Sequence, residues 1–163
     1  MKKINKVTIK HTPDYEADLS YIGTFDSEPK SDLAIEHEPE NNRSFNWFNP
    51  QPGTCENKKQ AQAEYERMLA YDRGDWLMIS VRAEAEILTS KERNSYSTIN
   101  HVSSGGLWGI EYEYGEPNEH VAEIEKEQLD ELADVLHDLG FTKAEITKAF
   151  TAKPVEVLTP YEV

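Results

Sequence analysis

Five histidines, one cysteine and 31 carboxylates are the side chains of this 163-residue chain that could ligate a metal or move protons. A zinc site needs Cys and His at short, paired spacings. His11, His37, His101, His120 and His137 are scattered, and Cys55 has no partner at such a spacing. General acid–base catalysis needs two carboxylates held at a defined separation. With 31 acids, near neighbours arise by chance and single out no pair. "SSGG" at 103–106 has the small residues of a phosphate-binding loop. It lacks the Lys of a P-loop and a following helix, and reads as a hairpin turn. The sequence therefore predicts no catalytic centre, no metal and no cofactor.

What the chain has in excess is negative charge, 31 acids against 17 bases for a net charge of −14. That sign opposes direct binding to nucleic acid or to an anionic membrane, and favours a basic partner. Residues 109–140 hold eleven carboxylates and one base, Lys126. Glu119, Glu123, Glu127, Asp130, Glu131, Asp134 and Asp138 recur there at three- and four-residue steps, which places them along one side of a helix. Like charges so spaced destabilise a helix by about 0.2–0.5 kcal/mol per pair. Glu84, Glu86, Glu111 and Glu113 alternate onto the wet face of strands, where like neighbours also oppose folding. Two readings stand: the solvated face of an acidic protein, or a surface that imitates a phosphate backbone. A second binding feature is the loop "RSFNWFNPQPG", in which Phe45, Trp47 and Phe48 either fold back into the core or form an exposed anchor.

The elements that must position these residues are legible in part. "NKKQAQAEYERMLAYDRGD" predicts a helix over 58–73, with Asn57 as cap, Gln60 at the capping-box position and Gly74 as stop. "WLMISVRAEAEIL" alternates cleanly, with Leu77, Ile79, Val81, Ala83, Ala85 and Ile87 on the core side. "SYSTINHV" and "LWGIEYEY" follow as strands, the latter with Trp108, Ile110, Tyr112 and Tyr114 on one face. Short connections between these strands predict an antiparallel meander. The longest helix spans about 119–139 after the turn "GEPN", with Val121, Ile124, Gln128, Leu132, Val135, Leu136 and Leu139 as its inner stripe and Gly140 as C-cap. Thr142 and Glu145 form a capping box for a further helix to about Thr151, with Phe141 and Ile146 as its staple. Pro154 ends that helix, and "VEVLTPYEV" is either a last edge strand or loose. At the other end, Ile4 to Ile9 reads as a short strand closed by Pro13. Residues 14–57 hold nine acids and one Lys between Asp14 and Glu40 and lack periodicity, apart from a short strand at "LSYIGTF". The expected fold is α+β: one domain over 1–163, a curved antiparallel sheet with helices on one face, and a long irregular acidic and aromatic excursion at about 14–57.

A single cysteine excludes an intramolecular disulfide and fits a reducing compartment. "MKKINKVTIKH" continues into no apolar run of signal-peptide length, and no stretch approaches a membrane span. The expectation is a cytoplasmic protein with no membrane contact.

The stretch from "SVRAEAEI" through "INHVSSGGLWGIEYEYGEPNEHVAEIEKEQLDELADVLHDLGF", less than half the chain, resembles small acidic proteins of phages and other mobile elements. Its most specific part is "SSGGLWGIE" followed by a Glu-rich helix ending in "LGF". Such proteins are similar in type to antirestriction and anti-CRISPR inhibitors, many of which mimic DNA. The likeness lies in charge and setting, since the signatures of the established antirestriction families are absent. It implies a non-enzymatic inhibitor of a basic nucleic-acid-binding protein, a CRISPR effector or restriction nuclease. The alternative is an interaction module anchored by Phe45, Trp47 and Phe48, with the charge serving solubility alone.

Overall fold

The computed structural model describes residues 1–38, 45–90, 98–113, 118–152 and 156–158. In chain order the elements are β1 (Lys2–Pro13), β2 (Gly23–Asp26), β3 (Ile35–Glu36), β4 (Trp47–Pro50), α1 (Lys58–Arg73), β5 (Trp76–Thr89), β6 (Thr98–Ser103), β7 (Leu107–Glu113), α2 (Glu119–Asp138), α3 (Lys143–Ala152) and β8 (Glu156–Leu158). The fold is α+β. The chain divides into two compact units, one of Met1–Tyr15 with Met78–Val163 and one of Glu16–Leu77. The expected turn at 115–118 lies outside the described residues except for Asn118, as do Tyr114, Ser95, Pro154 and the tail beyond residue 158.

The first unit is a sheet with helices on one face. β1 runs antiparallel to β5 from Lys2 opposite Thr89 to Pro13 opposite Ile79, with Asn5 inserted between two paired positions. The strand is twice the expected length because the polar Lys2, Lys3, Lys10 and Thr12 interrupt no pairing. β8 adds in parallel to β1, at Thr8–Lys10. Alternation puts Val7, Ala83, Ala85 and Ile87 on the inner face, where they meet Leu132 and Leu136 of α2 and Phe141 and Ile146 at α3. Burying each of the larger ones, Val7, Ile87, Leu132, Leu136, Phe141 and Ile146, contributes about 1.5–3 kcal/mol, enough to overcome like-charge repulsion on the outer side of α2. Near the Tyr15 end the alternation fails, since Met78 and Ser80 are buried as well as Ile79 and Val81.

Local chemistry sets the helix ends. Asn118 Oδ1 accepts from the backbone N–H of His120 and Val121. Thr142 and Glu145 bond reciprocally, Thr142 N–H to Glu145 Oε2 at 2.8 Å and Glu145 N–H to Thr142 Oγ1 at 3.3 Å. Phe141 and Ile146 are both buried beside this box, as a hydrophobic staple requires.

One connection differs from expectation. β6 pairs with β5 from Glu84 opposite Ser103 to Thr89 opposite Thr98. β7 also pairs with β5, not with β6. Because β1 already covers one edge of β5, β6 and β7 follow each other along the other edge. Residues 103–106 are thus a break within an edge, where a hairpin turn was expected. Ser104 N–H donates to Ala83 O at 2.9 Å and Ala83 N–H donates back to Ser104 Oγ at 3.0 Å, which carries the pairing across the break.

The second unit holds three short strands where the sequence suggests one. β4 lies between β2 and β3, antiparallel to both. Phe48 is fully buried, with the rings of Phe25 and Tyr65 at 5.3 and 5.6 Å from its own. Asn49 ties the intervening loop, accepting from Lys30 N–H and donating to Asp26 Oδ2 and Glu28 O. Helix α1 starts and stops as expected, with Gln60 N–H bonded to Asn57 Oδ1 and Gly74 past its end. The Gln60 side chain accepts from Glu56 N–H, one residue earlier than a capping box places it.

Candidate acidic interface

Seven of the eight acids of α2 share the side away from its inner stripe, and the eighth, Glu125, is turned to His11. Val121, Ile124, Gln128, Leu132 and Leu136 are buried, and at about 100° per residue the seven fall within roughly a third of the circumference. Glu119, Glu123, Glu127, Asp130, Glu131, Asp134 and Asp138 are all exposed. Among the described residues, the ion pairs involve Lys10, His11, Lys30, Arg67, Arg73 and Arg82, and none reaches any of the seven. From Glu119 to Asp138 the helix rises about 29 Å, so the row carries one charge per about 4–5 Å. A single strand of duplex DNA carries one per about 3.4 Å of axis. The two line densities are comparable.

The placement along the axis matters as much as the density. Glu119 in the first turn is favoured by the helix dipole, whereas Asp134 and Asp138 approach the negative end. Selection for helix stability alone would put cations in that last turn.

A latch holds the strand edge against this helix. Gln128 Oε1 accepts from Ser104 Oγ at 2.7 Å and from Gly106 N–H at 2.9 Å. Glu131 Oε1 accepts from Gly105 N–H at 2.9 Å. Near the start of α2, Asn118 Nδ2 donates to Glu111 O at 3.4 Å. These bonds run β7 beside the N-terminal half of α2, so Glu111 and Glu113, both exposed, border the same helix. Gln128, the polar member of the buried stripe, is the centre of the latch.

Glu84 and Glu86 belong elsewhere. They lie on the sheet face opposite the helices, beside Lys6 and Lys10 of β1. Glu84 meets Lys10 Nζ at 2.6 Å and Arg82 Nη2 at 2.6 Å, with its side chain 14% exposed. Partial burial alone would raise its pKa, but the bonds and charges of Lys10 and Arg82 outweigh this and leave it lowered. Glu86 accepts from Asn5 Nδ2. The eleven acids singled out by sequence therefore separate into an α2–β7 group and a pair on the opposite sheet face, of which Glu84 is neutralised by Lys10 and Arg82.

The aromatic residues are redistributed too. Phe48 is core, Trp47 is half-buried and Phe45 is 47% exposed. The exposed indole is instead Trp108, at 60%, next to Leu107 at 43%, although alternation places Trp108 with the buried Ile110. Gly106 and Gly109 flank the dipeptide with φ of 82° and 70°. Left-handed backbone on both sides breaks the two-residue repeat and turns Trp108 outward. The glycines in "GGLWG" were the signal available in the sequence.

The histidines do not converge. His11 is buried on the inner face of β1, its Nε2 2.7 Å from Glu125 Oε1 and its ring edge-on to Tyr112. His37 is buried in the second unit, its Nδ1 2.9 Å from Tyr65 Oη. His101, His120 and His137 are exposed. No helix among the described residues is long and apolar enough to cross a membrane. Comparison with protein-family models, with curated proteins and with solved structures finds no match to this chain.

Proposed function

We propose that this chain is a non-enzymatic binding protein whose α2–β7 surface enters the basic, nucleic-acid-binding groove of another protein. The observation that carries this reading is the row of seven exposed acids, unneutralised by any described ion pair and extended into the last turn of α2. Such a row is costly to the fold and has the charge density of a phosphate strand. The latch from Gln128 and Glu131 orders the strand edge beside it, which lowers the entropy lost on docking. Trp108 and Leu107 offer apolar contact next to the charges, of the kind that anchors interfaces. A host defence nuclease, either a CRISPR effector or a restriction enzyme, is the partner class that the acidic mobile-element resemblance favours, since such enzymes hold their duplex in a positively charged channel. The aromatic loop loses Phe48 to the core and is the weaker anchor.

The test is competition. The chain is immobilised and used to capture proteins from nuclease-treated lysate, and duplex DNA is then added. Captured nucleic-acid-binding proteins released by DNA, and by salt in the absence of DNA, support the reading. Captured proteins that DNA leaves in place would remove the phosphate-mimic claim.

A further inference from the structure

In a chain with 29% charged residues, positions 94–110 hold no Lys, Arg, Asp or Glu. β6 lies in this run at the end of the strand order, and among the described residues no strand pairs with its outer edge. The pairing with β5 fixes which of its backbone groups face outward. Ser104 N–H donates to Ala83 O, and on the other side of β5 Ser90 N–H donates to Met1 O. Backbone bonding alternates between the two sides of a strand, so Ala83, Ala85, Ile87 and Thr89 bond towards β6. Val102, Asn100 and Thr98 stand opposite the last three and bond back. That leaves the N–H and C=O of Ile99, His101 and Ser103 on the open edge. Proteins blunt such edges with lysine, proline or a bulge. β6 has none of these, since it reads "TINHVS" and pairs with β5 without a shift in register. Thr98, Ile99, Asn100 and His101 are exposed, Ile99 at 59%.

We propose that the β6 edge pairs antiparallel with the same edge of a second copy of this chain, joining the two sheets across a two-fold axis. Charge selects the occupant. A basic segment is drawn to the carboxylates elsewhere on the chain and gains nothing from an uncharged strand. Two copies that each carry −14 repel one another, and they meet at least cost where neither brings charge. Pairing centred on His101 sets Ile99 of each copy opposite Ser103 of the other, so the open backbone groups of both strands bond to each other. The contact uses the same strand twice and therefore stops at a dimer. It involves none of the α2 acids, so this proposal and the binding function can fail separately.

The test is sedimentation velocity of the full chain over a range of concentrations, at low and at raised salt, with amide hydrogen exchange on the same samples. A dimer should form with rising concentration and tighten with added salt, because salt screens the repulsion between copies. The amides of Ile99, His101 and Ser103 should gain protection as it forms. His101→Pro removes an N–H that faces away from β5, a position where edge strands accept proline. The fold should survive, and self-association should weaken about tenfold through the two backbone bonds lost per dimer. Ile99→Lys supplies the guard that this edge lacks and should weaken the dimer as much. Its exposed side chain keeps that variant folded even where the proline is not tolerated. A chain that stays monomeric up to millimolar concentration at both salts would overturn the proposal. So would a dimer that Ile99→Lys leaves intact, or one that loosens as salt rises.

Discussion

Glu84 and Glu123 are the same residue type, each in an acid-rich segment, and the fold treats them in opposite ways. Glu84 sits across the sheet from β1, which contributes Lys10 and stands with Arg82 to neutralise it. Glu123 sits on the outer side of α2 among six other exposed acids, where Lys126 is the single neighbouring base and the described ion pairs do not reach. Charge in a sequence therefore becomes surface charge only where no distant strand answers it. This contrast turns an acidic composition into a specific candidate surface.

The largest effect that would sharpen the contrast is at the latch. Gln128→Leu keeps the bulk of a buried side chain but leaves Ser104 Oγ and Gly106 N–H without their acceptor. The buried Ser104 hydroxyl so orphaned costs about 1–3 kcal/mol, the half-buried Gly106 N–H can turn to water, and urea denaturation should show a loss in that range. A loss below half a kcal/mol would mean that the strand edge is held by other contacts.

Next is the signed pair of neutralisations. Glu84→Gln removes a partly buried partner of Lys10 and Arg82 and should destabilise by about 0.5–1 kcal/mol. Glu123→Gln relieves two like-charge pairs, with Glu119 and Glu127, and gives up the attraction of Lys126 three residues on, for a net stabilisation of about 0.2–0.5 kcal/mol. The same sign in both variants, read from thermal melts, would erase the distinction between the two faces.

The pH dependence follows from the same pair. Lys10 and Arg82 hold the Glu84 pKa below its usual value against the opposing effect of burial. The unfolded chain then binds the proton more readily than the folded one. The stabilisation from Glu84 is complete above the ordinary carboxylate pKa and is lost as pH falls through the lowered folded value. Glu145 has the same direction, from the backbone and side-chain bonds of Thr142. Wild type should thus lose stability on acidification more steeply than Glu84→Gln. Parallel stability–pH curves would contradict that assignment.

The smallest effect on the fold is expected at Trp108. Because the indole is 60% exposed, Trp108→Ala should change stability by no more than about 0.5 kcal/mol while reducing partner capture. A melt lowered by several degrees would place Trp108 in the core despite its exposure.

Helices were the legible part of this fold because their signals are local. Asn57, Gly74, Thr142 and Glu145 announce helix ends within four residues, and the inner stripe of α2 repeats over five turns. Pairing across long separations was not legible. Lys10 meets Glu84 through a strand pairing that no nearby residue encodes, so Glu84 and Glu86 read in sequence as part of one acidic field. The strands of the second unit are two to four residues long, too short to show a period of two. "SSGG" could be read as a turn because its small residues fit one. Ala83, Gln128 and Glu131, all more than twenty residues away, hold it as a break in a strand edge.

On the function proposed above, the α2 row is maintained for binding at the expense of stability. This is tested most directly by Glu123→Gln, Glu127→Gln, Asp130→Asn and Asp134→Asn in one chain, with Glu131 retained because it holds Gly105. Melting and capture from lysate are measured on the same preparation at low and at physiological salt. The expected result is a higher melting temperature, with the gain reduced by added salt, together with loss of the captured partner. A more stable variant that captures the same partner at undiminished yield would contradict it and reduce the row to a solvated face.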